Sequence, residues 1–100
     1  MPITSPQCRA ARALVQWPLD HIARLSGLPA EDIAAFERGT GHLDDDAKRR
    51  LAHRLEEGGA VFIAEDSGGG IGVRLRFTAK DVRAINRMEG EGGPVGDDDI

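Results

Sequence analysis

The sequence predicts a mainly α-helical fold: a bundle of four to five helices with a helix-turn-helix, followed by a β-hairpin and a short C-terminal helix. Two observations carry this prediction. Before Gly58-Gly59, apolar residues recur at spacings of three and four, whereas from Ala60 onward they alternate as in a strand. In addition, the turn Ser26-Gly27-Leu28 separates two short apolar-periodic segments.

The first helix is expected to begin at Ser5-Pro6, read as an N-cap followed by proline at the first helical position. Residues 1–4 are expected to form a loose arm. Trp17-Pro18 ends the helix. Its predicted buried face consists of Cys8, Ala11, Leu14 and Val15.

Two shorter helices are expected at about residues 19–26 and 29–38. Gly27 supplies the left-handed conformation of a tight helix exit, Pro29 starts the next helix and Gly39 ends it. Asp44 is the expected N-cap of a fourth helix that ends at Gly58-Gly59. The predicted inward residues of these helices are Ile22, Ala23, Leu28, Ile33, Phe36, Leu51 and Leu55.

A hairpin is predicted next, with AVFIAE as one strand, residues 66–70 as the loop, and a second strand that starts at Ile71. Because two strands alone are marginal in water, we expect the hairpin to pair with a second copy. A last helix then carries an apolar stripe. The predicted dimerisation residues are Val61, Ile63, Val73, Leu75, Phe77, Val82, Ile85 and Met88.

The domain organisation expected from these patterns is a helical bundle at 5–57, a dimerisation unit at 60–89 and a disordered acidic tail at 90–100. One cysteine excludes an internal disulfide, and the sequence has neither a membrane-length apolar run nor a secretion signal. We therefore expect a cytoplasmic protein with no membrane partner.

The charge distribution opposes simple phosphate binding. The net charge is −4, and residues 18–46 hold seven acids against two bases, whereas residues 71–88 hold five bases against one acid. Nonspecific DNA affinity comes largely from Lys and Arg. The positive charge thus lies away from the helix expected to read DNA.

The spacing W-x4-IA-x3-G-L-x4-I-x2-FE-x-G, from Trp17 to Gly39, resembles the Xre/Cro-type phage-repressor family. Within it, the chain resembles short bacterial regulators whose bundle is followed by a segment like AVFIAEDSGGGIGVRLR. The resemblance covers about residues 5–57. It implies a helix-turn-helix transcriptional regulator, typically a repressor, that binds an operator in double-stranded DNA as a homodimer.

The resemblance also implies particular residue roles. An arginine late in the first helix and a glutamate near the end of the third form an ion pair in the family, and they match Arg12 and Glu37. Such a bidentate pair offsets the desolvation of both charges. The positions that match the DNA-facing surface are Arg9, Arg24, Pro29, Ala30, Glu31, Asp32, Ala35, Arg38 and Thr40.

Several of these positions depart from the family pattern. Leu19 stands where the family usually has a DNA-binding glutamine. Ala30 and Ala35 offer only methyl contacts to thymine, Glu31 is able to accept from a cytosine amine, and Asp32 repels phosphate.

Two interpretations remain open. In the first, a homodimer places its third helices in successive major grooves of DNA, while Arg9, Arg24, Arg38 and Thr40 contact the DNA backbone. In the second, the module binds a protein, as a co-regulator or antagonist of a related repressor, with Leu19, Leu25 and Pro29 exposed.

Enzymatic, metal and cofactor chemistry are not expected. His21, His42 and His53 are too scattered to form a zinc site with Cys8, which we interpret as an inert core thiol. The acids at 44–46 fit a capped helix start. The glycines at 68–70 precede a strand, unlike a phosphate-binding loop.

Overall fold

The computed structural model describes residues 2–78. In this part the chain is mainly helical, as predicted, with one two-stranded antiparallel sheet. The predicted last helix, with Val82, Ile85 and Met88, and the acidic segment 90–100 lie outside the described residues. The elements are α1 (Ser5–Val15), α2 (Leu19–Ser26), α3 (Ala30–Arg38), α4 (Asp45–Glu57), β1 (Ala60–Ile63) and β2 (Gly72–Leu75).

The start of α1 differs from the prediction. Thr4, not Ser5, is the N-cap: its hydroxyl accepts from the Gln7 amide at 3.2 Å, and the Gln7 side chain accepts from the Thr4 amide at 3.1 Å. The expectation of a loose arm at residues 1–4 is wrong at Ile3, which is buried in the core. Leu14 was expected inside but is 37% exposed, because it lies at the margin of the buried stripe.

The middle helices follow the sequence prediction closely. Gly27 and Gly39 both adopt the left-handed conformation that ends α2 and α3, with φ of 76° and 82°. Pro29 is the N-cap of α3 and not its first helical residue. Ile22 and Ile33 are fully buried, so the inner faces of α2 and α3 form the centre of the core.

The fourth helix closes the bundle. The Asp44 carboxylate accepts from the Ala47 amide at 2.8 Å, which confirms the predicted N-cap. Leu51 and Leu55 are completely buried against the other helices. Within residues 2–78, no helix is long and apolar enough to cross a membrane.

The hairpin packs on its own bundle. Ala60 pairs with Leu75 and Phe62 with Val73, so these four residues share the face that lies against the core. The other face carries Val61 opposite Arg74 and Ile63 opposite Gly72. The bundle thereby supplies the cover that the sequence analysis assigned to a second copy.

The hairpin also differs from the prediction in length and facing. The strands are shorter than predicted, and Ile71, expected on the apolar strand face, lies outside β2 and is 40% exposed. Val61 and Ile63, grouped by the prediction with Val73 and Leu75 in one dimer surface, occupy the opposite face. The homodimer itself stays a prediction.

Candidate nucleic-acid interface

An ion pair fixes the end of α3 to α1. The Arg12 guanidinium donates twice to the Glu37 carboxylate, with Nε–Oε2 at 2.9 Å and Nη2–Oε1 at 2.8 Å. Glu37 is 4% exposed, and Arg12 also donates to the Trp17 carbonyl at 3.2 Å. The hydrogen bonds to Glu37 raise the pKa of Arg12. The two residues matched to the family pair thus meet in bidentate geometry.

Glu37 collects further donors from α1. The Cys8 Sγ lies 3.5 Å from Glu37 Oε2 as a donor, and an Arg9 guanidinium nitrogen donates to the Glu37 backbone carbonyl. Burial, reinforced by the Glu37 charge, raises the pKa of the Cys8 thiol to about 12. This thiol therefore stays protonated and acts as a donor in the core. No group of His, Cys, Asp and Glu within residues 2–78 is arranged to hold a metal ion.

A three-residue turn, 27–29, sets the angle between α2 and α3. The buried Ser26 hydroxyl accepts from the Leu28 amide at 3.3 Å, and Arg50 of α4 donates to the Ser26 carbonyl at 3.0 Å. The turn is thus held from inside by a side chain of α2 and from outside by α4. A rigid turn fixes where the first residues of α3 point.

The first turn of α3 is exposed and acidic. Pro29, Glu31 and Asp32 are exposed, and Ala30 is half-buried. The two acids lie at the positive end of the helix and stabilise it. The same acids repel phosphate groups.

The other end of α3 carries the basic and hydroxyl groups. Arg38 is exposed, and its guanidinium has no hydrogen-bonding or ionic partner among residues 2–78. The Thr40 hydroxyl donates to the Ala35 carbonyl at 3.3 Å, and the amides of Thr40 and Gly41 donate to the same oxygen at 3.0 and 3.1 Å. The loop after α3 is therefore folded back on the helix.

Gly41 is a residue that the sequence analysis did not assign. A Cβ atom at Gly41 would lie 2.8 Å from the Ala35 methyl group, so the loop approaches α3 as closely as only glycine permits. Ala35 was predicted to contact a thymine methyl group, but its methyl group lies against this loop instead. The pattern Gly39-Thr40-Gly41 was the available signal for this close approach.

The residues predicted to contact the DNA backbone differ in how far their side chains are already engaged within the protein. Arg24 lies 3.7 Å from Asp20 and contacts the His21 ring at 3.4 Å, whereas Arg9 is engaged with Glu37. Leu19 packs partly against the core, which explains why an apolar residue is accepted there. Leu25, in contrast, is 36% exposed.

The predicted DNA-facing residues thus come together around α3 and the loop that follows it, with Arg24 standing apart on α2. Sequence comparison adds nothing to this geometry, because no protein-family model and no curated protein matches the chain.

Proposed function

We propose that this chain is a sequence-specific DNA-binding transcriptional regulator of the Xre/Cro type, which acts as a homodimer through α3. The observation that carries the proposal is the combination of two features of α3. Its inner side is fixed to α1 by the Arg12–Glu37 pair, and two residues of its first turn, Glu31 and Asp32, are exposed to solvent. A helix held rigidly with one side exposed is the element that enters a major groove in helix-turn-helix proteins.

Under this proposal, different residues of α3 contact the DNA bases and the phosphates. Glu31 is a carboxylate acceptor for the amino group of cytosine, and the Ala30 methyl group suits a thymine methyl. At the opposite end of the helix, Arg38 supplies for phosphate a guanidinium that has no partner among residues 2–78. Affinity under this proposal depends on base contacts more than on charge.

The second candidate function is a protein-interaction module that binds a related regulator. The acidic first turn of α3 and the exposed Leu25 favour it, because an acidic surface beside an apolar residue suits a protein better than a polyanion. Only the affinity for DNA separates the two functions.

The test is selection of duplexes from a randomised DNA pool, followed by titration of the selected duplex at several salt concentrations beside unrelated duplex DNA. We expect a selected sequence that binds at least about a thousandfold more tightly than unrelated DNA. Failure to enrich any sequence at low salt, with the protein folded, contradicts the proposal and supports the second function.

A matched pair of variants assigns the contact. Arg38→Gln is expected to lower the slope of log affinity against log salt by about one, because one phosphate contact is lost. Arg54→Gln removes a similar charge from α4, where Arg54 pairs with Glu57 at 2.9 Å, and leaves the slope unchanged. Equal slopes for the two variants contradict the placement of Arg38 on the DNA.

A further inference from the structure

A groove of about 560 Å³, the α2–α4 groove, lies between the end of α2 and one side of α4. Its volume falls within the range of about 300–1,000 Å³ that is typical of small-molecule sites. Leu25, which is 36% exposed, and the half-buried Ala52 give the groove an apolar strip. The other lining residues are polar or charged: Ser26, Asp46, Arg49, Arg50, His53, Arg54 and Glu56.

One end of the α2–α4 groove carries an excess of positive charge. The guanidinium groups of Arg49 and Arg50 both pair with the Asp46 carboxylate, at 3.5 and 3.1 Å, and one carboxylate neutralises only one of two cations. Next to Arg49, Asp45 and Lys48 carry opposite charges and leave this excess unchanged. Because a planar guanidinium matches the geometry of a carboxylate, this basic end suits a ligand that carries one carboxylate.

The opposite end of the groove is acidic. Glu56 lies there, about 9 Å along the α4 axis from the arginine pair. Arg54 and His53 do not offset its charge, because both pair with Glu57, at 2.9 and 3.0 Å. Arg76 donates to the backbone carbonyl of Glu56 at 3.3 Å, and within residues 2–78 the Glu56 carboxylate forms no ion pair. A second carboxylate on the ligand is therefore repelled at this end.

The basic end also contacts the turn that orients α3. Arg50 Nη1 donates to the carbonyl of Ser26, the last residue of α2, at 3.0 Å. A Cβ atom at Gly27 would lie 3.4 Å from the same nitrogen, so the guanidinium lies over the turn. α3 starts at Ala30, directly after this turn. A carboxylate that binds Arg50 therefore acts on a hydrogen bond that holds the turn.

We propose that the α2–α4 groove binds a small organic monocarboxylate with an apolar body. The carboxylate pairs with Arg49 and Arg50. The apolar body covers Leu25 and Ala52, and Glu56 limits the ligand to one carboxylate. Through Arg50, occupancy of the groove alters the turn before α3. If the chain is the regulator proposed above, the groove is an effector site.

The experiment is an NMR titration of the full chain with hexanoate, in which the backbone amide signals are followed. We expect saturable shifts at Leu25, Ala52 and Leu28, with a Kd of about 1 mM for a ligand of so few atoms. The amide of Val61, on the outer face of the hairpin, should not move. Absence of saturable shifts at about ten times the expected Kd overturns the proposal. Shifts at Leu25 and Ala52 with Leu28 unmoved overturn the coupling to the turn.

Two further ligands separate charge from apolar contact. Hexan-1-ol keeps the apolar body without a charge, and adipate adds a second carboxylate at the far end. Both should bind about tenfold more weakly than hexanoate, because the first loses a charged hydrogen bond and the second meets the acidic end. An equal Kd for hexanoate and hexan-1-ol overturns the proposal.

Matched variants assign the two ends of the groove. Arg49→Gln should raise the Kd of hexanoate about tenfold and leaves the turn contact of Arg50 intact. Arg54→Gln removes a charge that pairs with Glu57 and should leave this Kd unchanged. Equal Kd values for the two variants contradict the placement of the carboxylate. Glu56→Gln should bring the Kd of adipate close to that of hexanoate, and an unchanged adipate Kd contradicts the role of the acidic end. None of these measurements involves DNA, so they test the groove independently of the proposed function.

Discussion

The inner and outer faces of the α2–α3 pair have opposite character. Inside, Ile22 and Ile33 are fully buried, and the Glu37 carboxylate is bound twice by Arg12. Outside, Glu31 and Asp32 stand exposed at the start of α3. The inner face admits only side chains that fill the available volume or neutralise a buried charge, whereas packing places no such limit on the exposed outer face. The sequence therefore constrains the inner face more tightly than the outer face.

The largest expected effect tests how well the inner face is sealed. Burial and the neighbouring Glu37 raise the pKa of Cys8 from 9.0 to about 12. A raised thiol pKa means less thiolate at a given pH, so at pH 8 an aromatic disulfide reagent should react with folded Cys8 about a thousandfold more slowly than with the unfolded chain. The thiol introduced by Ser67→Cys in the exposed hairpin turn is the control. Equal reaction rates for the two thiols in the folded protein would contradict the burial of Cys8.

The second effect tests the charge inside the inner face. Arg12→Ala leaves the Glu37 carboxylate buried without its cation and should lower the free energy of unfolding by about 3 kcal/mol. Thermal denaturation should show a fall in Tm of roughly 15 °C. The matched control is Arg54→Ala, which breaks an exposed pair with Glu57 and should cost less than about 1 kcal/mol. Similar losses for both variants would remove the distinction between buried and exposed pairs.

The third effect lies where the two faces meet. Gly41→Ala puts a methyl group 2.8 Å from the Ala35 Cβ atom and should cost about 2 kcal/mol, because the loop has to move off α3. Gly70→Ala is the control, since a Cβ atom there meets nothing within 4 Å. Chemical denaturation measures both. An unchanged stability for Gly41→Ala would show that the loop yields freely.

The smallest effect tests the outer face. Asp32→Asn removes a negative charge from the proposed DNA surface and should strengthen binding to any duplex severalfold at low salt, with the gain fading as salt screens it. Loss of the acid at the helix start costs only about 0.5 kcal/mol of stability. Asp45→Asn makes the same change in the first turn of α4 and should leave DNA affinity unchanged. A gain of equal size in both variants would locate the effect in net charge and not in α3.

Much of the helical fold was predictable because its signals are local. Gly27, Gly39 and Asp44 mark helix ends through their own backbone or side-chain chemistry, and all three lie where the sequence placed them. The pairing of Arg12 with Glu37 was reached through a family resemblance, not through composition or spacing. The resemblance supplied a contact 25 residues apart in sequence that no local pattern contains.

The errors of prediction arise where distant segments decide the outcome. Gln7 was not assigned to the core, yet its side-chain amide donates to the Gly72 carbonyl at 3.0 Å and joins α1 to the hairpin. Leu14 has the correct spacing for a buried residue, but no element covers it fully within residues 2–78. The inner face of the hairpin was assigned to a second copy because the sequence does not show that the bundle reaches it.

The sequence by itself determined the ends of α2 and α3 at Gly27 and Gly39, the N-cap of α4, the buried stripes of α2, α3 and α4, and the acidic start of α3, since these follow from helical period, capping chemistry and residue charge. Only the tertiary structure decided that Ile3 joins the core, that Phe62, Val73 and Leu75 face their own bundle, and that Gly41 lies against Ala35. The physical reason is the range of the contacts. Period and caps act within one or two helical turns, whereas burial depends on which distant segment occupies the neighbouring space.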